Sequence, residues 1–199
     1  MEDDIVVIEE TDLALGTKKL QKMKNTHDFT FRFRDGNYVN FHKIVLICSN
    51  YFATLLKFNA THATECFLDE SVATYEAIQF IINLRYGSQK TEFKDMNGVS
   101  MYDVYKSASY LDDTEIKTNV AAAALKIKRT NDFLIEVFCA SFELNQNTTD
   151  AEITKLCATE FRKRNMLASL TQCGTYLAWA SELDEKELLR LGSVLEKEK

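Results

Sequence analysis

The chain has 199 residues, of which 46% are hydrophobic and 27% charged, with a formal net charge of −6. That length supports one compact domain, or one plus an appended bundle, and needs no disulfide or metal staple to fold. The acidic balance argues against nucleic-acid binding through a broad basic surface, because the densest basic segment, Arg162-Lys163-Arg164, is short and reads as a solvated helix face.

In chain order, Ile5-Val6-Val7-Ile8 is a β-branched run and reads as a strand. Thr11 then offers an N-cap for a helix carrying Leu13, Leu15, Leu20 and Met23, weakened by Gly16. Phe29, Phe31 and Phe33 alternate, which puts them on one face of a strand. Asp35-Gly36 supplies residues that tolerate positive φ for a hairpin turn, and Tyr38, Val39 and Phe41 carry the return strand. Residues 44–48 read as the first turns of a buried helix. Ser49 is an N-cap for a second helix over 49–58, with Phe52, Leu55 and Leu56 on one face.

Cys66-Phe67-Leu68 is a short strand. Tyr75, Ile78, Ile82 and Tyr86 fall at helical spacing within 72–86, and Gly87 sits where that helix stops. Helices follow over 99–111 and 115–127, the second presenting a smooth strip at residues 121–124. After Thr130 strand signals vanish, and helices are expected over 132–144, 150–164, 166–180 and 184–196. Asn131 and Asp150 are the expected caps, and residues 145–149 form a polar loop.

The signatures of chemistry are missing. Ser49 and Ser109 have no G-x-S-x-G context, and only six glycines are available for phosphate loops. Glu9-Glu10 and Asp112-Asp113 are paired acids that read as solvated turns. His42, beside an aromatic, reads as a packed core residue. His62 and Cys66 stand four apart with no second pair to complete a metal site. The expectation is a protein that is not an enzyme and that takes no metal or cofactor.

The five cysteines (48, 66, 139, 157 and 173) are odd in number, widely spaced and set in apolar stretches. With no C-x-x-C pair they read as reduced, buried, structural thiols. Asn59-Ala60-Thr61 and Asn147-Thr148-Thr149 match the glycosylation pattern, yet Met1-Glu2-Asp3-Asp4 lacks the basic and apolar regions of a signal peptide. No apolar run reaches the roughly 18 residues of a membrane helix. The chain is therefore expected to be intracellular, cytoplasmic or nuclear, without membrane contact.

One set of motifs is specific through its order. Asp28 opens the first hairpin strand, Phe41-His42-Lys43 follows the return strand, and Leu46 precedes Ser49-Asn50-Tyr51-Phe52. Further on come the apolar helix ending in Tyr86-Gly87 and the segment Ser107-Ala108-Ser109-Tyr110-Leu111. Together these resemble the BTB/POZ domain. The resemblance implies an α+β fold, a small sheet flanked by a helical cluster, followed here by an all-α extension. It divides the chain into an N-terminal strand-helix extension (1–27), a BTB/POZ core (28–129) and a helical region (130–199) that resembles a shortened BACK region.

The same resemblance implies partners. BTB domains dimerise, so a homodimer or BTB heterodimer is expected. Asp28 and Lys43 would sit in a charged pocket at its interface, and the N-terminal segment with Ile5, Val7, Leu13 and Leu20 would pack on the partner subunit. Many family members bind cullin scaffolds and serve as substrate adaptors of a ubiquitin ligase. Those that do often carry an apolar-x-Glu motif after the Ser-x-Tyr-Phe helix. The corresponding place here is Ala60-Thr61-His62, where the Glu is absent. The candidate cullin contacts are Tyr51, Phe58, Ala60, His62, Tyr110 and Asp112. The leading expectation is a cullin adaptor whose target protein is unidentified. The alternative is an assembly or regulatory module, of the corepressor-capturing or interfering kind, that does not bind cullin.

Overall fold

The computed structural model describes residue 17 and residues 19–58, 63–87, 99–127, 131–145 and 147–196. The strand expected at 5–8, the helix start at Thr11, and Ile5, Val7, Leu13, Ala60 and His62 lie outside the described residues. Leu20 opens a short 3-10 turn, Leu20–Lys22, and packs half-buried on the core.

Strand β1 (Phe29–Arg32) pairs antiparallel with β2 (Tyr38–Phe41), and β3 (Glu65–Phe67) runs parallel to β1, giving the order β2-β1-β3. The alternation acts as expected: Phe29 and Phe31 point inward with Phe33, Val39 and Phe41 and are almost wholly buried. Phe52 joins them from the following helix, its ring centroid 5.0 Å from that of Phe29. The hairpin turns at Gly36, whose φ of 90° is the left-handed backbone the sequence asked for, while the Asp35 carboxylate accepts the Asn37 N–H at 2.8 Å.

Residues 44–48 depart from the expectation of a buried helix. A 3-10 helix, Lys43–Leu46, buries Val45 and Leu46 but leaves Ile44, Ile47 and Cys48 exposed. The tighter winding eclipses positions three apart, so Ile44 and Ile47 share the outer side.

Nine α-helices follow among the described residues. They are α1 (Asn50–Phe58), α2 (Tyr75–Arg85), α3 (Met101–Tyr110), α4 (Thr114–Lys126), α5 (Asp132–Leu144), α6 (Thr148–Lys163), α7 (Leu167–Leu170), α8 (Gly174–Ala180) and α9 (Glu185–Glu196). Side-chain caps fix several starts: Thr74 for α2, Ser100 for α3, Asp113 for α4 and Asn147 for α6. Gly87, at φ 70°, follows the end of α2 as anticipated.

In the C-terminal helices one cap, one start and one continuous helix differ from the expected ones. The Asn131 side chain makes no cap bond for α5, and its carbonyl instead lies 3.4 Å from an Arg164 N–H. Because Asn147 caps α6, Asp150 falls inside the first turn rather than at the cap, and is buried there. The helix expected over 166–180 is broken into α7 and α8. Gly174, a poor helix-interior residue, stands at the break, and the turn lets Trp179 pack on Phe138 and Phe142 of α5, with the Tyr176 ring against Trp179.

The C-terminal helices lie directly on the BTB-like half. Helix α5 packs against α3, α4 and α6, and its Glu136 carboxylate accepts the Met101 N–H at 2.7 Å, at the N-terminus of α3. Arg164, at the end of α6, donates to the carbonyls of Leu125 and Ile127 at 2.8 and 2.6 Å. The Arg162-Lys163-Arg164 run is thus only partly a solvated face: Lys163 is exposed, while Arg164 closes the end of α4.

Candidate partner surface

Ser49 stitches two distant segments together. Its hydroxyl accepts the Phe52 N–H at 3.2 Å, which caps α1, and donates to the Leu111 carbonyl at 2.5 Å. The Tyr51 N–H donates to that same carbonyl at 3.3 Å, so the start of α1 is held against the α3–α4 turn. The turn itself is tight, with Asp112 at φ 50° and the Asp113 N–H donating back to Ala108 at 2.8 Å.

This stitching gathers the candidate side chains. The Tyr110 hydroxyl donates to the Tyr51 hydroxyl at 3.0 Å, and their ring centroids are 4.9 Å apart. The Asn50 amide donates to the Asp112 carboxylate at 3.0 Å. Asn50 and Asp112 are exposed and the tyrosines half-buried. Burial, reinforced by the Tyr110 hydrogen bond, pushes the Tyr51 phenol well above its ordinary range, so it stays a neutral hydrogen-bonding group. Burial also raises the Cys66 thiol, which the Tyr51 hydroxyl touches, and that leaves it protonated and a poor nucleophile. Tyr51, Tyr110 and Asp112 therefore converge, and Phe58 closes the same helix. The arrangement offers aromatic area and polar atoms for binding. Among the described residues no group of His, Cys, Asp and Glu is placed to hold a metal.

Asp28 and Lys43 also meet, through the backbone. The Asp28 carboxylate accepts the Lys43 N–H at 2.7 Å and so caps the 3-10 helix, while the Lys43 ammonium lies 5.8 Å from the centre of the Phe29 ring. Asp28 is exposed, with the exposed Met23 five positions before it, and the exposed Ile44 and Ile47 follow Lys43 directly along the chain. His42 is buried as expected: one ring nitrogen lies 2.7 Å from the Tyr86 hydroxyl and the other 2.8 Å from that of Thr26.

Sequence reasoning missed the buried charges behind this surface. Arg85 is wholly buried on α2 and grips both oxygens of Asp113, with Nη2 at 2.6 Å from each; its Nη1 reaches Glu115 at 2.5 Å. Burial works against the Arg85 charge, but the two carboxylates more than offset it and raise its proton affinity. Asp113 is thus a buried anchor, not the solvated turn acid its neighbour suggested. Deeper in, the Lys117 ammonium lies 2.9 Å from Asp150, whose same oxygen accepts the Tyr105 hydroxyl at 2.8 Å. That pair ties α4 and α3 to α6. A signal existed in the sequence: Lys117, Val120, Ala121 and Ala124 fall at helical spacing, which puts Lys117 on the buried face. The cysteines also divide, with Cys139 and Cys157 buried, Cys66 and Cys173 half-buried and Cys48 exposed.

A family model for the BTB/POZ domain matches residues 17–127 of the chain. No curated protein matches the sequence.

Proposed function

The chain belongs to the BTB/POZ family, and on that premise we propose that it is a dimeric adaptor linking a target protein to a cullin-type ubiquitin ligase. The family is one of protein-interaction modules, generally without enzymatic activity. The observation that carries the reading is the convergence of Tyr51, Tyr110 and Asp112 on one outward surface at the α1 and α3–α4 junction. The two tyrosines bond to each other and Asp112 accepts from Asn50, so together they present aromatic area with polar tips, the composition that anchors protein interfaces. Phe58, Ala60 and His62 extend the proposed cullin contact along the chain.

Dimerisation is the other half of the proposal. Exposed Ile44 and Ile47, just after Lys43, whose N–H the Asp28 carboxylate accepts, supply apolar area with charged groups beside it. The N-terminal segment with Ile5, Val7, Leu13 and Leu20 completes that interface from residues 1–27. The core is taken as 28–129, and the BACK-like helices of 130–199 stiffen it from behind.

A second reading is kept on one observation: Ala60-Thr61-His62 lacks the Glu of cullin-binding relatives. In that reading the dimer captures a peptide and acts as an assembly or regulatory module. Light scattering on the purified chain, alone and with a cullin N-terminal domain, separates the two. The adaptor gives a dimer that shifts to a two-to-two complex. A dimer that ignores the cullin sinks the adaptor reading, and a monomer sinks both.

A further inference from the structure

The C-terminal helices enclose a trough that the cullin surface does not use. It is walled by α6, α7 and α9 and has a volume of about 1460 Å³. Small-molecule pockets run to roughly 300–1,000 Å³, so the trough suits a segment of polypeptide better than a metabolite. Its apolar lining includes Leu167, Leu188 and Leu189, and Leu189 is 72% exposed. Helix α9 buries only Leu191 fully, packs Leu195 half-buried on the core, and turns the exposed Leu188 and Leu189 to this opening.

Gly192 gives the trough its shape. It lies inside α9, where glycine weakens a helix, yet a Cβ added there would meet nothing within 4 Å. The chain's own packing does not require this glycine. A smooth backbone facing open space instead admits the close approach of a second helix.

Charge indicates what that helix carries. The α6 wall presents Lys155 and Arg162, in a chain whose net charge is −6. Lys155 is exposed, with no ion pair among the described residues. Arg162 spends its N–H groups on neutral acceptors: the Val194 and Leu195 carbonyls and the Thr159 hydroxyl. Among the described residues, Glu196 is the one acid in the lining. Two cations without carboxylate partners, above a floor of leucines, select an apolar ligand with an acidic flank.

We propose that this trough binds an acidic amphipathic helix of a partner protein. Its apolar face lies on Leu167, Leu188 and Leu189, its closest approach is at Gly192, and its carboxylates face Lys155 and Arg162. The surface shares no residue with the Tyr51–Tyr110 contact, so an adaptor would hold its target and its scaffold on separate faces.

The test titrates the full chain into a dye-labelled helical peptide of about five turns, with leucines at i, i+3, i+4 and i+7 and glutamates flanking them. Anisotropy should report saturable binding, weakened at least tenfold when the glutamates are replaced by lysines. Gly192→Leu, which fills the trough, and Lys155→Glu, which reverses a wall charge, should each weaken binding at least tenfold. Lys155 is exposed, so Lys155→Glu does not depend on refolding of the core, and a thermal melt checks Gly192→Leu. Lack of binding by the glutamate peptide, or binding indifferent to both substitutions, overturns the proposal. So does a halving of native mass in Gly192→Leu, which would make the trough a contact between copies of this chain.

Discussion

Asp112 and Asp113 are adjacent in sequence and opposite in surroundings. Asp112 turns outward at φ 50° and holds the Asn50 amide on the candidate partner surface. Asp113 turns inward, is 1% exposed, caps α4 and pairs with the buried Arg85. One turn thus presents one carboxylate to solvent and spends the next on architecture. The difference teaches that charge in this chain has two separable uses. The outward set is solvated and costs little to change. In the inward set Arg85–Asp113 ties α2 to the start of α4 and Lys117–Asp150 joins the BTB half to its helical extension, and each is costly to break from one side.

The largest effect should come from the inward set. Asp113→Ala removes the cap of α4 and strands the Arg85 guanidinium, so stability measured by urea denaturation should fall by about 3–5 kcal/mol. A loss near that of an ordinary surface change would mean that water reaches Arg85. Lys117→Met should cost nearly as much, about 3 kcal/mol, because it leaves the Asp150 carboxylate buried without a cation. Adding Asp150→Asn, which keeps an acceptor for Tyr105, should restore more than half of that loss. An additive double variant would show that the pair does not act as a unit.

Ser49→Ala stands between the two sets, since Ser49 both caps α1 and holds the turn at Leu111. Its expected cost is about 1–2 kcal/mol by denaturation. Asp112→Gly belongs to the outward set. Glycine accepts the positive φ without strain, so stability should stay within about 0.5 kcal/mol of the parent while cullin binding weakens. A large loss of stability there would erase the contrast between the two aspartates. The smallest effect is chemical: at pH 8 a thiol reagent should label Cys48 rapidly. Cys157, buried and pushed up to about 12 chiefly by desolvation, should react only on unfolding.

What was legible in the sequence followed periodicity. The Phe29-Phe31-Phe33 alternation, the Asp35-Gly36 turn and the Ser49 cap each carry a local signal, and each appears in the fold where that signal puts it. Tyr51, Tyr110 and Asp112 were legible as candidate contacts through the family resemblance. Their meeting depends on a bond between Ser49 and Leu111, 62 positions apart, which no local pattern encodes. The buried charges were illegible for the same reason. Asp113 and Asp150 look like turn and cap residues until Arg85 and Lys117 arrive from other helices. The break at Gly174 was hidden because Tyr176 and Trp179 continue an apolar pattern while the chain turns to seat them.

In the proposed adaptor, Tyr51 and Tyr110 form a binding surface independent of the fold behind it. Calorimetric titration of a cullin N-terminal domain into the chain and into its Tyr51→Ala/Tyr110→Ala variant tests this most directly. The variant should keep its dimer mass and its cooperative melt while losing at least a hundredfold in affinity. Equal affinity in the two proteins would contradict the proposed surface.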